Sequence, residues 1–272
     1  MVEVIYEGRL GNNLFQYCFG RILAKNLGYK LKADPIPGFP NTKALVDGHD
    51  YSGYETQALS MHIVDLDSVI KDKSKRKILL NKGFFQRYEY YKPYKGLIKN
   101  DWLLIDIEVN DRIEPDDVVV CIRRDDYVSG GYALPFSYYK EALSRLRYRK
   151  IFVCTDSVND PFISLFKLKY NAVVRPTNTL DTFKLISLFS KIIISNSTFY
   201  WWAAFLSNAK EIYSPLPLKG YWSREIPEID LKIDDEDRYI YMKCKDIYKE
   251  NLAEKLIKLK RKVCSKLECL KN

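Results

Sequence analysis

Histidine is nearly missing from this chain, whose 272 residues include only His49 and His62. Six cysteines occur, Cys18, Cys121, Cys154, Cys244, Cys264 and Cys269, and none is paired in a CxxC spacing. A structural zinc centre needs Cys and His ligands clustered in a local pattern, so no zinc site is expected. Cys121 and Cys154 lie inside apolar runs, where a free thiol behaves as a small hydrophobe, and this usage fits a reducing compartment. No apolar run reaches the ~20 residues that span a bilayer. Met1 leads straight into a strand-like segment, so the expectation is a cytoplasmic protein with no signal peptide or anchor.

What is present is an ordinary globular mixture, 47% hydrophobic and 29% charged. A chain of this length suggests two domains at ~150 residues each. Aromatic residues are abundant at 14%, with 21 Tyr, and serve cores as readily as sugar or nucleoside sites. The net charge of +9 admits nucleic acid, an anionic membrane or a phosphorylated small molecule as partner. Nucleic acid is disfavoured, because the lysines are dispersed or gathered in the tail rather than forming a basic, aromatic stripe.

The segment VVVCIRRDDY at 118–127 organises the rest. Val118 to Ile122 read as a strand buried on both faces, and four charges follow at its carboxyl end. In an open α/β sheet that end faces the ligand crevice. Arg123 and Arg124 there can grip a phosphate, and a carboxylate beside them, Asp126 with Asp125 as second choice, can accept a proton. The alternative is an ion-paired surface turn.

Beyond Pro115 strands and helices alternate. Strands are expected at 118–122, 150–154, 172–174, 192–194 and 211–213, and helices at 135–146, 161–170, 179–190 and 197–207. Pro135 and the Asp160-Pro161 pair mark helix starts. This repeat predicts a parallel, doubly wound sheet with right-handed crossovers. Polar residues gather where the strands end: Arg123 and Asp126, Thr155 and Asp156, Arg175, and the run Ser195, Asn196, Ser197, Thr198. That run can cap its helix and also present hydroxyls and amides to a phosphate. Trp201 and Trp202 are read as core.

The first part carries a strand at 2–6, a glycine-bearing turn at 7–13 and a helix at 14–27 stopped by Gly28. The turn is neither GxGxxG nor a P-loop, though such a turn lets backbone amides approach a polar ligand. Further strands are expected at 30–33 and 78–80, with a loop from 34 to 53 that holds an exposed His49. Asp65 and Asp67 have the spacing of a metal-binding DxD, yet nothing presents them and they read as a solvated helix face. Tyr88, Tyr90, Tyr91 and Tyr94 form an aromatic patch that can stack on sugars or bases, or pack between domains. The acid-rich stretch 106–117 is the expected domain boundary. A loop is expected at 215–222, and 245–270 reads as a Lys-rich amphipathic helix that packs on the first domain or lies on an anionic membrane.

Four segments fall in the order found in the α-1,2-fucosyltransferases of glycosyltransferase family 11. They are GRLGNNLFQYCFGRILA (8–24), CIRRDDY (121–127), VCTDS (153–157) and IISNSTFYWWAAFL (193–206). The sequence also resembles the wider group of α-1,6- and protein O-fucosyltransferases. The resemblance implies a GT-B architecture, two Rossmann-like doubly wound domains facing across a cleft. These would be an acceptor-side domain at 1–114, a GDP-sugar domain at 115–240 and a basic C-terminal helix at 241–272. It implies metal-independent, inverting transfer of L-fucose from GDP-β-L-fucose to a hydroxyl of a glycan or lipid-linked glycan, with no cofactor. By matched position it assigns the donor's β-phosphate to Arg123 with Arg124 beside it. Asp156 takes the guanine, and Ser197 and Thr198, following Ser195 and Asn196, form a phosphate-binding turn. Gly11 and Asn12 face donor and acceptor. Catalytic roles fall to Arg123, Asp126 and Asn12. Where the family has His-x-Arg-Arg-Gly-Asp-Tyr, this chain has Cys121 for the His and Asp125 for the Gly, which opens another GDP-hexose, or binding without catalysis, as alternatives.

Overall fold

The helix at the head of the chain shows how sequence becomes structure here. Leu14, Phe15, Cys18, Phe19 and Ile22 recur at helical spacing and are fully buried. They form one face of α1 (Leu10–Leu27), closed by Gly28 in the left-handed region at φ 66°. The helix begins four residues earlier than the apolar spacing predicts. The N–H groups of Asn12 and Asn13 both donate to the Arg9 carbonyl, at 2.8 and 3.1 Å, so the glycine-bearing turn is already helical. The computed structural model describes residues 1–42, 48–61, 63–106, 108, 112–175, 178–216, 229–244, 254–257 and 259. The expected loop at 215–222 lies mostly outside these residues, as do His62 and most of the basic tail.

Cα packing divides the chain into two units. The first comprises Met1–Asn110, Ser197–Leu206 and Pro217–Asp237. Its sheet is wholly parallel, in the order β2-β1-β4-β3, from β1 (Val2–Val4), β2 (Leu31–Lys32), β3 (Thr56–Leu59) and β4 (Lys77–Leu80). Strand β3 escapes sequence reading because it is an exposed edge with no apolar alternation. Asp65 caps α2 (Leu66–Lys71) by accepting from the Ser68 N–H at 3.0 Å, so the Asp65-Asp67 pair is a helix start.

Helix α3 (Tyr88–Tyr91) leads through a short turn into α4 (Lys95–Leu97). The tyrosine patch proves to be core. Tyr88, Tyr90 and Tyr91 are buried, with Tyr91 and Phe15 ring centres 5.3 Å apart and Tyr88 against Trp201. Tyr94 stacks on Trp102. A platform for sugars is therefore not what these rings build. Trp201 and Trp202, buried as expected, enter the same aromatic core on the helix Thr198–Leu206.

The second unit comprises Asp111–Asn196, Ser207–Leu216 and Arg238–Asn272. Its six strands are also all parallel, in the order β10-β9-β8-β5-β6-β7. They are β5 (Val118–Ile122), β6 (Ile151–Thr155), β7 (Val173–Val174), β8 (Lys191–Ile193), β9 (Glu211–Pro215) and β10 (Tyr239–Met242). Every residue of β5 is buried, as the unbroken apolar run requires of a central strand. Helices α5 (Asp125–Gly130), α6 (Phe136–Ser144), α7 (Pro161–Tyr170) and α8 (Thr179–Ser187) connect them. The Asp160 carboxylate caps α7 through the Phe162 N–H at 2.7 Å. The helix Thr198–Leu206, here α9, follows β8 in sequence but packs in the first unit, because its aromatic face completes that core. Among the described residues no helix is long and apolar enough to cross a membrane.

Candidate active site

In the second unit the strand order turns back on either side of β5: the chain runs outward through β6 and β7, then returns to β8 beyond β5 and continues outward the other way. Ligands of open α/β sheets bind outside the carboxyl ends of strands at such a switch point. Arg123 and Arg124 occupy that place at the end of β5. Strand register pairs Ile122 with Thr155, so the residues that follow, Arg123 and Asp156, leave neighbouring strands side by side.

The two arginines have different surroundings. The Arg123 guanidinium pairs with Asp156 at 2.7 Å, with Asp126 one helical turn on, and with Asp125 at 3.9 Å, and it lies over the Tyr127 ring. Burial works against its charge, but Asp156 and Asp126 outweigh that and raise its pKa. The carboxylates of Asp125, Asp126 and Asp156 all lie within 4.8 Å of one another, close enough to hold a cation, and the guanidinium sits among them. Arg124 turns inward. Its side chain is 2% exposed, pairs with Asp160 at 3.2 Å and Glu254 at 3.8 Å, and lies 4.5 Å from the centre of the Phe162 ring. Its backbone N–H donates to Asp156 Oδ1 at 2.9 Å.

Beside this cluster a pocket of about 610 Å³ opens between the α5 start and the β6–α7 loop. Asp125, Ser129, Asp156, Ser157, Asn159 and Asp160 supply its polar lining. The Asp125 N–H donates to Ser157 Oγ at 3.1 Å, tying the two loops together. Burial lifts the Asp156 carboxyl above its ordinary range, against the pull of the Arg124 N–H and the Arg123 charge. Ser195 and Asn196, at the end of β8, are almost wholly buried, and Asn196 Nδ2 donates to the Tyr132 carbonyl at 2.9 Å.

The first unit holds a second group of expected site residues. Gly11 is buried, and a Cβ there would lie 2.5 Å from the Phe199 backbone nitrogen and 2.6 Å from Thr198 Oγ1. Its lack of a side chain is what lets α1 approach α9. Asn12 Oδ1 accepts from Thr198 Oγ1 at 3.1 Å and from Gln86 Nε2 at 3.0 Å. Ser197 is 7% exposed, and its carbonyl accepts the Trp201 N–H to open α9. Arg123, Asp126 and Asp156 are thus gathered in one unit, and Gly11, Asn12, Ser197 and Thr198 belong to the other. Sequence reading gave no site role to Gln86, Asp160 or Glu254, and read Gly8 only as part of a turn. Gln86 falls within the aromatic patch that begins at Gly83, where nothing sets it apart, and Glu254 is distant in sequence from Arg124.

Against this geometry, the family model for glycosyl transferase family 11 matches residues 82–217, half of the chain. The protein belongs to that family. It is therefore a glycosyltransferase with fucosyltransferase-like activity, taking a sugar donor and an acceptor. The matched region of this family 11 enzyme contains the β5 arginines, the Asp156 pocket, Gln86 and α9, while Gly8, Gly11 and Asn12 precede it. Neither the curated proteins nor the solved structures compared with the chain match it.

Proposed function

We propose that this family 11 enzyme moves L-fucose from GDP-β-L-fucose to a hydroxyl of a glycan, forming an α-1,2 linkage with inversion. The observation that carries the reading is an arginine, Arg123, held at the switch point of a parallel sheet inside the family-matched region. In this reading the two units are the two Rossmann-like halves of a GT-B enzyme, and the donor's nucleotide lies on the second. Bond cleavage leaves negative charge on the β-phosphate of GDP. Arg123 meets that charge. A guanidinium that neutralises the diphosphate removes the need for a divalent ion. The acceptor hydroxyl attacks C1 from the face opposite GDP and passes its proton to Asp126, which first parts from Arg123 as the phosphate takes its place.

Asp156 and its pocket serve the base, since a carboxyl accepts the N–H groups on the edge of guanine. A second donor, another GDP-hexose, is favoured by one feature: Asp125, where the family motif carries glycine, lines this pocket. A thermal-shift panel of GDP, UDP, CDP and GDP-sugars separates the readings. A ligand at 100-fold its Kd stabilises by ~2.7 kcal/mol. GDP and GDP-fucose are expected to shift the melting most, and GDP release with a glycan acceptor should follow. A panel in which UDP or CDP wins, or in which no GDP-sugar turns over, overturns the assignment.

A further inference from the structure

In the first unit the strand order also reverses, between β1 and β4. The Ile5 N–H donates to the Leu80 carbonyl at 2.9 Å, so the two chains leave these strands together. One continues into Gly8 and Asn12, the other into Gly83 and Gln86. Gln16, 1% exposed, ties them, accepting the Glu7 N–H and donating to the Gly83 carbonyl, both at 3.0 Å. The second loop is strained. Lys82 and Phe85 lie in the left-handed region at φ 59° and 51° without being glycine. Phe85 is held there by stacking on Phe19, with ring centres 4.2 Å apart, and by Tyr91, whose hydroxyl donates to the Phe85 carbonyl at 2.6 Å. The outcome of that strain is the placement of the next side chain. Gln86, 5% exposed, points its Nε2 at Asn12 Oδ1.

We propose that Gln86 is a positioning residue that holds the Asn12 carboxamide with its amino edge outward. The first unit then offers a ligand oxygen two N–H donors rather than a carbonyl. With Gln86 and Thr198 both donating to Oδ1, the oxygen edge is occupied, and Nδ2 is the edge left for a ligand. Gly8 keeps that edge open, since a Cβ there would lie 2.4 Å from Asn12 Nδ2. The class of ligand is an oxygen acceptor, a phosphate or a sugar hydroxyl. The inference rests on Asn12 facing substrate in the glycosyltransferase reading.

The test is Gln86→Glu in the full chain. A carboxylate only accepts, so it draws Nδ2 to itself and turns the Asn12 carbonyl outward. With GDP-fucose and a glycan acceptor, the expected loss at neutral pH is ~10²-fold, the usual effect of losing one aimed donor. The buried carboxylate lowers the melting point at neutral pH, so rates are read at a temperature well below it. The deficit closes as the pH falls toward ~4.3, where the protonated carboxyl donates again. A rise in donor KM assigns the ligand oxygen to the GDP-sugar, a rise in acceptor KM assigns it to the glycan, and a fall in kcat alone places the contact in the transition state. A wild-type rate at neutral pH, or a loss that does not recover in acid, overturns the proposal.

If the parent turns nothing over, the functional reading has failed separately. The Asn12 side-chain amide resonance, assigned by its absence in Asn12→Asp, then decides. Gln86→Glu must move its protons downfield and slow their exchange, and an unchanged resonance overturns the positioning role.

Discussion

Two adjacent arginines should fail in opposite ways. Arg124 is 2% exposed and faces two carboxylates that are themselves largely buried, Asp160 at 17% and Glu254 at 2%. Arg124→Ala leaves those charges without their cation, and removing one partner of a buried pair costs ~3–5 kcal/mol. The guanidinium lying on Phe162 adds up to ~2 kcal/mol more. At ~3 °C per kcal/mol for a domain of this size, the second unit should melt ~10 °C lower or more. Arg123→Ala removes a guanidinium with two exposed partners, Asp125 at 52% and Asp126 at 58%, and one largely buried partner, Asp156 at 17%. The exposed pairs contribute ~1 kcal/mol or less each, and Asp156 keeps the Arg124 N–H after the loss, so the melting point should fall by clearly less than in Arg124→Ala. Transfer, by contrast, should fall by ~10²–10³-fold. Calorimetry of both variants beside GDP release from GDP-fucose gives the comparison. The reasoning is refuted if Arg124→Ala melts with the parent, or if Arg123→Ala loses stability as heavily as Arg124→Ala.

Gly11→Ala should destabilise the first unit at the upper end of the ~1–3 kcal/mol range for overpacking, since its Cβ would meet the rigid backbone of α9; denaturant titration showing no change would remove the close approach as the reason for glycine. Lys32 and Lys77 pull the Glu3 carboxyl below its usual value of 4.5, so its ion pairs stabilise the fold above that pH and are lost as the pH falls through the lowered folded-state value. Glu3→Gln should therefore be less stable than the parent near neutrality and converge with it in acid, which melting curves from pH 3 to 7 can check.

The parallel, doubly wound character of the second unit was written in local pattern. Val118 to Ile122 have no polar residue to offer solvent on either face, and a strand of that kind must be central. The Asp160-Pro161 pair and Gly28 likewise carry their capping roles in their own chemistry. The resemblance pointed to Arg123, Asp156 and Asn12 because short segments kept their order and residue types. Pairing between distant segments was not legible, because a one-dimensional pattern carries no record of which buried charge meets which. Arg124 looks like the equal of Arg123 in sequence, and only the fold turns it inward to Asp160 and to Glu254, 130 residues further along. The tyrosines at 88–91 could have faced a ligand, yet packing with Phe15 and Trp201 made them core. Gln86 has no motif of its own; it gains its role where β1 and β4 lie side by side and a strained loop, secured by tertiary contacts, delivers its amide to Asn12.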